Sequence, residues 1–274
     1  MTDQICFIGG GNMASSLISG LINNGYSAEK ITVTDPEKEN LDQLQQQFSV
    51  NTSTDNNQAI HNANIVLLAV KPQILHDVCC NIKAAVEKAR PLIISIAAGI
   101  RSTDIDRWLG ANNAIIRCMP NTPALIQAGA SGLFANPQTG QAQKDAADRI
   151  LTAAGITVWV DKESQLDAVT AVSGSGPAYF FLFIEAMQLA GNKLGLDMDT
   201  AGLLARQTAL GAARMAIEGN DDAATLRSKV TSKGGTTAAA IASLENNNFS
   251  AIIEEALTAA NNRAVELADE LGQQ

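Results

Sequence analysis

Aromatic side chains make up only 4% of the 274 residues, histidine occurs twice, and 19 Lys and Arg face 28 Asp and Glu. Each scarcity excludes something. A net charge of -9 repels phosphate backbones and anionic lipid headgroups, so neither nucleic acid nor a membrane surface is an expected partner. No apolar run approaches the roughly 18 residues that span a bilayer, and the amino terminus lacks a basic region followed by an apolar one. Those features read as a cytoplasmic chain. The four cysteines, Cys6, Cys79, Cys80 and Cys118, show no metal-type spacing and read as buried free thiols, with no metal site expected. His61 and His76 fall in helical stretches outside every motif described below and read as surface or packing residues.

What the chain does have is alternation. Short β-branched runs at Gln4 to Ile8, Ile31 to Thr34, Ile65 to Val70, Leu92 to Ile96, Ala114 to Cys118 and Ile156 to Val160 are mostly separated by helical patterns. That order implies a doubly wound α/β fold, a parallel sheet covered by helices. After about Asp161 the β-branched runs almost vanish and Ala- and Leu-rich helical stretches continue to the end, so the expected domains are residues 1–161 and 162–274. Tyr179 to Ile184, within the stretch Pro177 to Leu194, is apolar on every side and is expected to be buried within its domain or between subunits. Small residues at Thr208 to Ala216, Thr236 to Ala242 and Ala256 to Ala260 bury little area each, so this domain is expected to gain core by pairing with a second subunit.

The first strand candidate runs into Gly9-Gly10-Gly11-Asn12-Met13-Ala14 and then a helical pattern, the dinucleotide fingerprint GxGxxA in its proper setting. Gly9 allows the tight turn, Gly11 lets the backbone approach a pyrophosphate, and small Ala14 lets helix and strand pack closely. The helix amino terminus adds unpaired N–H groups and positive potential. The sheet is therefore Rossmann-type. Asp35 ends the second strand 24 residues after Gly11, near the spacing at which a carboxylate hydrogen-bonds the ribose 2′-hydroxyl of NADH. Pro36 after it favours the alternative, a helix cap turned toward solvent. Ala69-Val70-Lys71-Pro72 and Ala97-Ala98-Gly99 follow two further strands and face the same crevice if the fold is right. Met119 to Pro123 follows another, with Pro120 and Pro123 stiffening a loop that holds Asn121 and Thr122 at the crevice.

Five blocks, in order, resemble the pyrroline-5-carboxylate reductase family: Phe7 to Ala14, Ala69 to Pro72, Met119 to Pro123, Ser173 to Ala178, and Thr231 to Thr237. The resemblance implies that Ile8, Gly9, Gly10, Gly11, Asn12, Met13, Asn56, Ala69, Lys71, Ala97 and Ala98 line NAD(P)H, and the strand-end readings above add Asp35, Val70, Pro72 and Asn121. It implies that the carboxy-terminal domain is an all-α substrate-binding and dimerisation domain, and that similar proteins form homodimers, often assembled into rings, whose sites can combine two chains. It places the substrate at Ser232, Gly234, Gly235, Thr236 and Thr237, with a nearby carboxylate at Glu163. Many relatives carry proline at the position of Lys233; the loop here is expected to be less rigid.

Reducing the cyclic imine 1-pyrroline-5-carboxylate to proline needs a hydride donor, a carboxylate clamp and a partner for the ring nitrogen, but little acid catalysis. Backbone N–H groups at Gly234 to Thr237, ahead of a helical pattern, suit the carboxylate. The Thr237 hydroxyl suits the ring nitrogen, and the charge of Glu163 would favour the iminium. Two other readings stay open. A related hydroxyacid or imine reductase would place a catalytic lysine inside the helix linking the domains, whereas Pro177 to Gly195 holds only Lys193, near its end. A non-catalytic dinucleotide sensor would need no second anion site such as Ser232 to Thr237. Between cofactors, use of both NADPH and NADH is expected, with NADPH somewhat favoured.

Overall fold

The structure, a computed structural model, describes residues 3–273. Strand β1 (Ile5–Ile8) leads into helix α1 (Asn12–Asn23), and β2 (Ile31–Thr34) into α2 (Lys38–Phe48). There follow β3 (Asn51–Ser53), α3 (Asn56–Ile60), β4 (Ile65–Leu68), α4 (Pro72–Ala89), β5 (Leu92–Ser95), α5 (Ser102–Leu109) and β6 (Ile115–Met119). A 3-10 turn, Thr122–Ile126, reverses the chain into β7 (Gly129–Ala135), and α6 (Gln141–Leu151) then leads to β8 (Gly155–Trp159).

The eight strands form one sheet in the order β3-β2-β1-β4-β5-β6-β7-β8. Neighbours from β3 to β6 are parallel; β7 runs antiparallel to β6, and β8 parallel to β7. The sheet order reverses between β1 and β4, which is where ligands of such sheets collect. Strand period explains why β1 is apolar throughout. Ile5 and Phe7 belong to the core cluster with Leu17 and Leu21 of α1, while Cys6 and Ile8 join Leu75, Cys79 and Ile82 of α4 on the other face. Each such buried side chain contributes about 1.5–3 kcal/mol. Neither β3 nor β7 was expected. β3 is a three-residue polar strand at the sheet edge, and β7 carries two glycines; at Gly132 an added Cβ would lie 2.6 Å from Val169 Cγ1.

The chain divides into two compact units, one reaching to Ser175 and including the residues from Ala260 onward, the other Gly176–Ala259. The expected boundary at Asp161 therefore lies inside the first unit, which also holds α7 (Gln165–Val169) and the π-helical turn Thr170–Gly174. The second unit contains α8 (Gly176–Lys193), α9 (Met198–Glu218), α10 (Ala223–Lys229), α11 (Thr236–Asn246) and the first part of α12 (Phe249–Gly272). Asp197 and Asp222 cap α9 and α10 by accepting from the backbone N–H groups of Thr200 and Thr225. Within the single chain Phe180, Phe181 and Leu182 are 65–69% exposed. Burial of this segment inside its own domain is thus not what the single chain shows. Among the described residues no helix is long and apolar enough to cross a membrane.

Candidate active site

The turn between β1 and α1 is crowded on one side and open on the other. Gly9 has φ +102°, and a Cβ there would lie 2.6 Å from the Ala69 carbonyl oxygen, so β1 and β4 meet too closely for any side chain. Gly11 differs: it caps α1 at φ -72°, where any residue fits, and a Cβ would meet no atom within 4 Å. No side chain caps this helix. The exposed Gly11 and Asn12 leave first-turn N–H groups pointing into open space, while Ala14 is buried in the core behind them. Ile8 is buried and Met13 half-buried against the same core.

The strand ends around this turn hold the other expected cofactor residues. Asp35 accepts from the Gly10 N–H at 2.8 Å, from the Glu37 N–H at 2.9 Å and from the Asn40 side-chain amide at 3.3 Å. It therefore fastens the glycine turn to the start of α2 and remains half-buried, one edge toward solvent. Asn56 opens α3 behind its cap Asp55 and makes no side-chain hydrogen bond among the described residues. The Ala69 N–H donates to the Ile8 carbonyl at 2.8 Å, Val70 is half-buried, and Lys71 is exposed at the cap of α4 ahead of Pro72. Ala97 is buried and Ala98 half-buried, followed by Gly99 at φ +70° with the Leu267 Cβ 3.4 Å from a Cβ position.

Asn121 does not offer its amide to the crevice. Its Nδ2 donates to the Ser173 carbonyl and hydroxyl, both at 3.2 Å, and its Oδ1 accepts from the Ala130 N–H at 2.9 Å. The side chain thus pins the Met119 to Pro123 loop to β7 and to the turn preceding α8.

Glu163 is likewise engaged by protein. One oxygen accepts from the Ser102 N–H at 2.6 Å and from Arg117 Nη1 at 2.9 Å, and the other from the Ser102 hydroxyl at 2.8 Å. Arg117 lies on β6 with its side chain 8% exposed, that of Glu163 20%. Sequence reasoning missed Arg117 and Ser102; a lone cation inside the apolar run Ile115-Ile116-Arg117-Cys118-Met119 was the available signal, since a buried charge demands a partner. Around the pair, burial raises the carboxyls of Asp104 and Asp167 above the ordinary range, against the lowering pull of Arg107 and Arg101 on the first and Arg117 and Arg101 on the second. Burial also pushes the thiols of Cys6, Cys79 and Cys118 up to about 12, as befits unreactive core residues. Cys80 is exposed, contrary to expectation, since it lies one residue round α4 from the buried Cys79.

In the second unit Thr231 to Gly235 forms a short loop ahead of α11. Gly234 takes φ +73°, the Gly235 N–H donates to the Ser232 carbonyl at 3.0 Å, and Gly235 caps α11 without a side-chain acceptor. Ser232 and Thr236 are exposed, Thr237 half-buried. Neither threonine hydroxyl has a hydrogen-bond partner among the described residues. Lys233 is exposed at the tip.

A glycine turn at the switch point of a β3-β2-β1-β4-β5-β6 sheet, opening an uncapped helix, marks a Rossmann-type dinucleotide-dependent oxidoreductase. Residues 4–99 match the family model described as NADP oxidoreductase coenzyme F420-dependent, and residues 163–267 that of pyrroline-5-carboxylate reductase dimerisation. A pyrroline-5-carboxylate reductase of Pseudomonas aeruginosa is 50% identical over 99% of this chain and 99% of its own length. Among solved structures, the pyrroline-5-carboxylate reductase of Coxiella burnetii superposes with a TM-score of 0.95 at 47% identity, covering 98% of this chain and 99% of that one. The Plasmodium falciparum pyrroline carboxylate reductase, solved with NADP bound, gives 0.85 at 31% identity, covering 97% and 98%. The chain belongs to the pyrroline-5-carboxylate reductase family and is an NAD(P)-dependent oxidoreductase.

Proposed function

We propose that the chain transfers hydride from NAD(P)H to the C=N carbon of protonated 1-pyrroline-5-carboxylate, giving L-proline and NAD(P)+ as the last step of proline biosynthesis in the cytoplasm. One observation supports this above others. Three helices, α1, α6 and α11, begin at exposed or half-exposed glycine caps with no side-chain acceptor, whereas α3, α9 and α10 are capped by Asp55, Asp197 and Asp222. At α6 the Gln143 side chain folds back to accept from the Gly140 N–H, and only α1 and α11 of the three begin in the motifs shared with the family. Two anion cradles suit two anions, a pyrophosphate and a carboxylate.

In this reading Ile8 to Met13 hold the pyrophosphate turn, with Asp35, Asn56, Ala69 to Pro72, Ala97 and Ala98 lining the rest of the dinucleotide. Asn121 serves by fixing its loop. Ser232, Gly234, Gly235 and Thr236 receive the substrate carboxylate, and the Thr237 hydroxyl, unpartnered in the chain, bonds the ring nitrogen and orients the imine carbon. Because the imine binds already protonated, positioning supplies most of the rate. The charge of Glu163 would favour the iminium, but Arg117 at 2.9 Å matches much of it. The exposed apolar side chains of α8 and α9 suit a homodimer built through the helical unit, and such dimers a ring.

Mixing the protein with NADPH and pyrroline-5-carboxylate, then following nicotinamide absorbance and proline together, tests the reaction. Loss of absorbance with matching proline is expected. Turnover of a small hydroxyacid but not of the imine would favour the related reductases, although the only lysine of α8, Lys193, is its last residue. Tight NADPH binding with no turnover on any cyclic imine would favour a sensor.

A further inference from the structure

Glu163 sits where a helix cap belongs. Helix α5 begins at Ser102, its N-cap Arg101 supplies no side-chain acceptor, and Glu163, 61 positions away in sequence, accepts from both the Ser102 N–H and the Ser102 hydroxyl. The same carboxylate takes Arg117 Nη1, so a single group ties the start of α5 to the middle of β6 and to the segment leading into α7. A carboxylate at a helix amino terminus is favoured by the macrodipole, and a bond to a charged acceptor is stronger than a neutral one. What α5 continues from is the loop Ala97 to Arg101, and that loop has little freedom of its own. Ala97 and Ile100 are buried, Gly99 is left-handed with Leu267 against it, and Arg101 pairs with Asp269 at 2.5 Å. The loop is thus clamped at its exit by two acids, Glu163 and Asp269.

We propose that Arg117, Glu163 and Ser102 form a brace that positions the Ala97 to Ala98 loop for the dinucleotide, and that Glu163 acts on the reaction through this loop rather than by touching the imine. Arg117 sets the carboxylate's orientation from β6 and Ser102 receives it; losing either leaves the exit of the loop held by the Arg101–Asp269 pair without the second acid. All three are positioning residues, and the proposal rests on the reading that Ala97 and Ala98 line the cofactor.

Fluorescence titration of NADPH without substrate, alongside KM and kcat for pyrroline-5-carboxylate, tests the brace in Glu163→Gln, Ser102→Ala, Arg117→Met and Arg117→Lys. The brace predicts NADPH affinity about tenfold lower in Glu163→Gln and Ser102→Ala at little change in imine KM, the scale expected when a positioning element slips. The double variant should bind NADPH no more weakly than Glu163→Gln, since the bond from the Ser102 hydroxyl to the carboxylate is common to both changes. Arg117→Lys should recover most of what Arg117→Met loses. If Arg117→Met does not fold, the Ser102 and Glu163 variants carry the test alone. Unchanged NADPH affinity in a folded Glu163→Gln overturns the brace, and a raised imine KM in that variant would give Glu163 to the substrate instead. Failure of the wild type itself to bind NADPH would instead remove the cofactor reading on which the brace depends.

Discussion

Replacing Gly9 and Gly11 by alanine, one at a time, should separate folding from cofactor binding within a single turn. At Gly9 the backbone has φ +102° and the new methyl would lie 2.6 Å from the Ala69 carbonyl oxygen. The left-handed conformation alone costs about 1–2 kcal/mol. Relieving the overlap by parting β1 from β4 adds a further amount of about 1–3 kcal/mol, so a total near 3 kcal/mol is expected. For a protein of this size that lowers Tm by roughly 6–12 °C. At Gly11 the backbone already suits alanine, with φ -72° and no atom within 4 Å of the Cβ position. Reduced freedom of the unfolded chain stabilises by about 0.4–1 kcal/mol, and alanine's weaker capping offsets an amount of similar size. Tm should therefore stay within about 2 °C. The methyl nonetheless enters the space a pyrophosphate must occupy, and NADPH affinity should fall at least tenfold, about 1.4 kcal/mol. Thermal melts and NADPH fluorescence titrations read the two quantities separately. A Gly11→Ala protein that binds NADPH as the wild type does would place the pyrophosphate elsewhere and refute the reasoning, and a Gly9→Ala protein melting normally would refute its steric half.

Thr237→Ala should lower turnover on the imine by roughly 10- to 100-fold while NADPH affinity holds, in line with loss of one positioning bond; unchanged turnover in steady-state assays removes Thr237 from the mechanism. The wild type should use both cofactors with NADPH somewhat favoured, and Asp35→Ser should shift kcat/KM further toward NADPH by removing a charge that repels the 2′-phosphate; strong NADH selectivity in the wild type, lost on substitution, would show the carboxylate reading the ribose. Sedimentation at micromolar concentration should show no monomer, because α8 exposes Phe180 and Phe181 at 69% and 66% in the single chain; a monomer there would contradict pairing through the helical unit.

The parts of the fold visible in the sequence are those in which local chemistry and tertiary role agree. β1, β2, β4 and β5 are short β-branched runs buried on both faces, and β-branched residues are what such strands require. β7 reads Gly-Ala-Ser-Gly-Leu-Phe-Ala, a composition with little strand preference. Its place is set from outside: Gly132 admits Val169 of α7, and Asn121 holds the Ala130 N–H, neither of which a local window contains. The same holds for the unit boundary. The β-branched runs do end near Asp161, yet α7 and the turn Thr170–Gly174 still pack with the first unit, because their partners lie on β7.

At the site, the glycine turn was legible because its requirements are covalent: only a residue without Cβ satisfies both φ and the approach of Ala69. Roles carried by polar side chains were less so, since a carboxylate or amide shows its use only through its partners. Asp35 has the spacing of a ribose reader, but three donors hold it as the fastener between the glycine turn and α2. These two uses are compatible in one group, because a carboxylate offers about four acceptor positions and three are filled. The fastener makes a selectivity consequence unavoidable. A substitution that relieves repulsion of a 2′-phosphate by removing the acceptor altogether, as Asp35→Ser does, also frees the Gly10 N–H and slackens the glycine turn, so its gain in NADPH preference is expected to come with weaker binding of both cofactors. Asp35→Asn separates the two effects: it drops the charge and keeps one carbonyl acceptor for Gly10, so its preference should shift as in Asp35→Ser while its NADH affinity falls less.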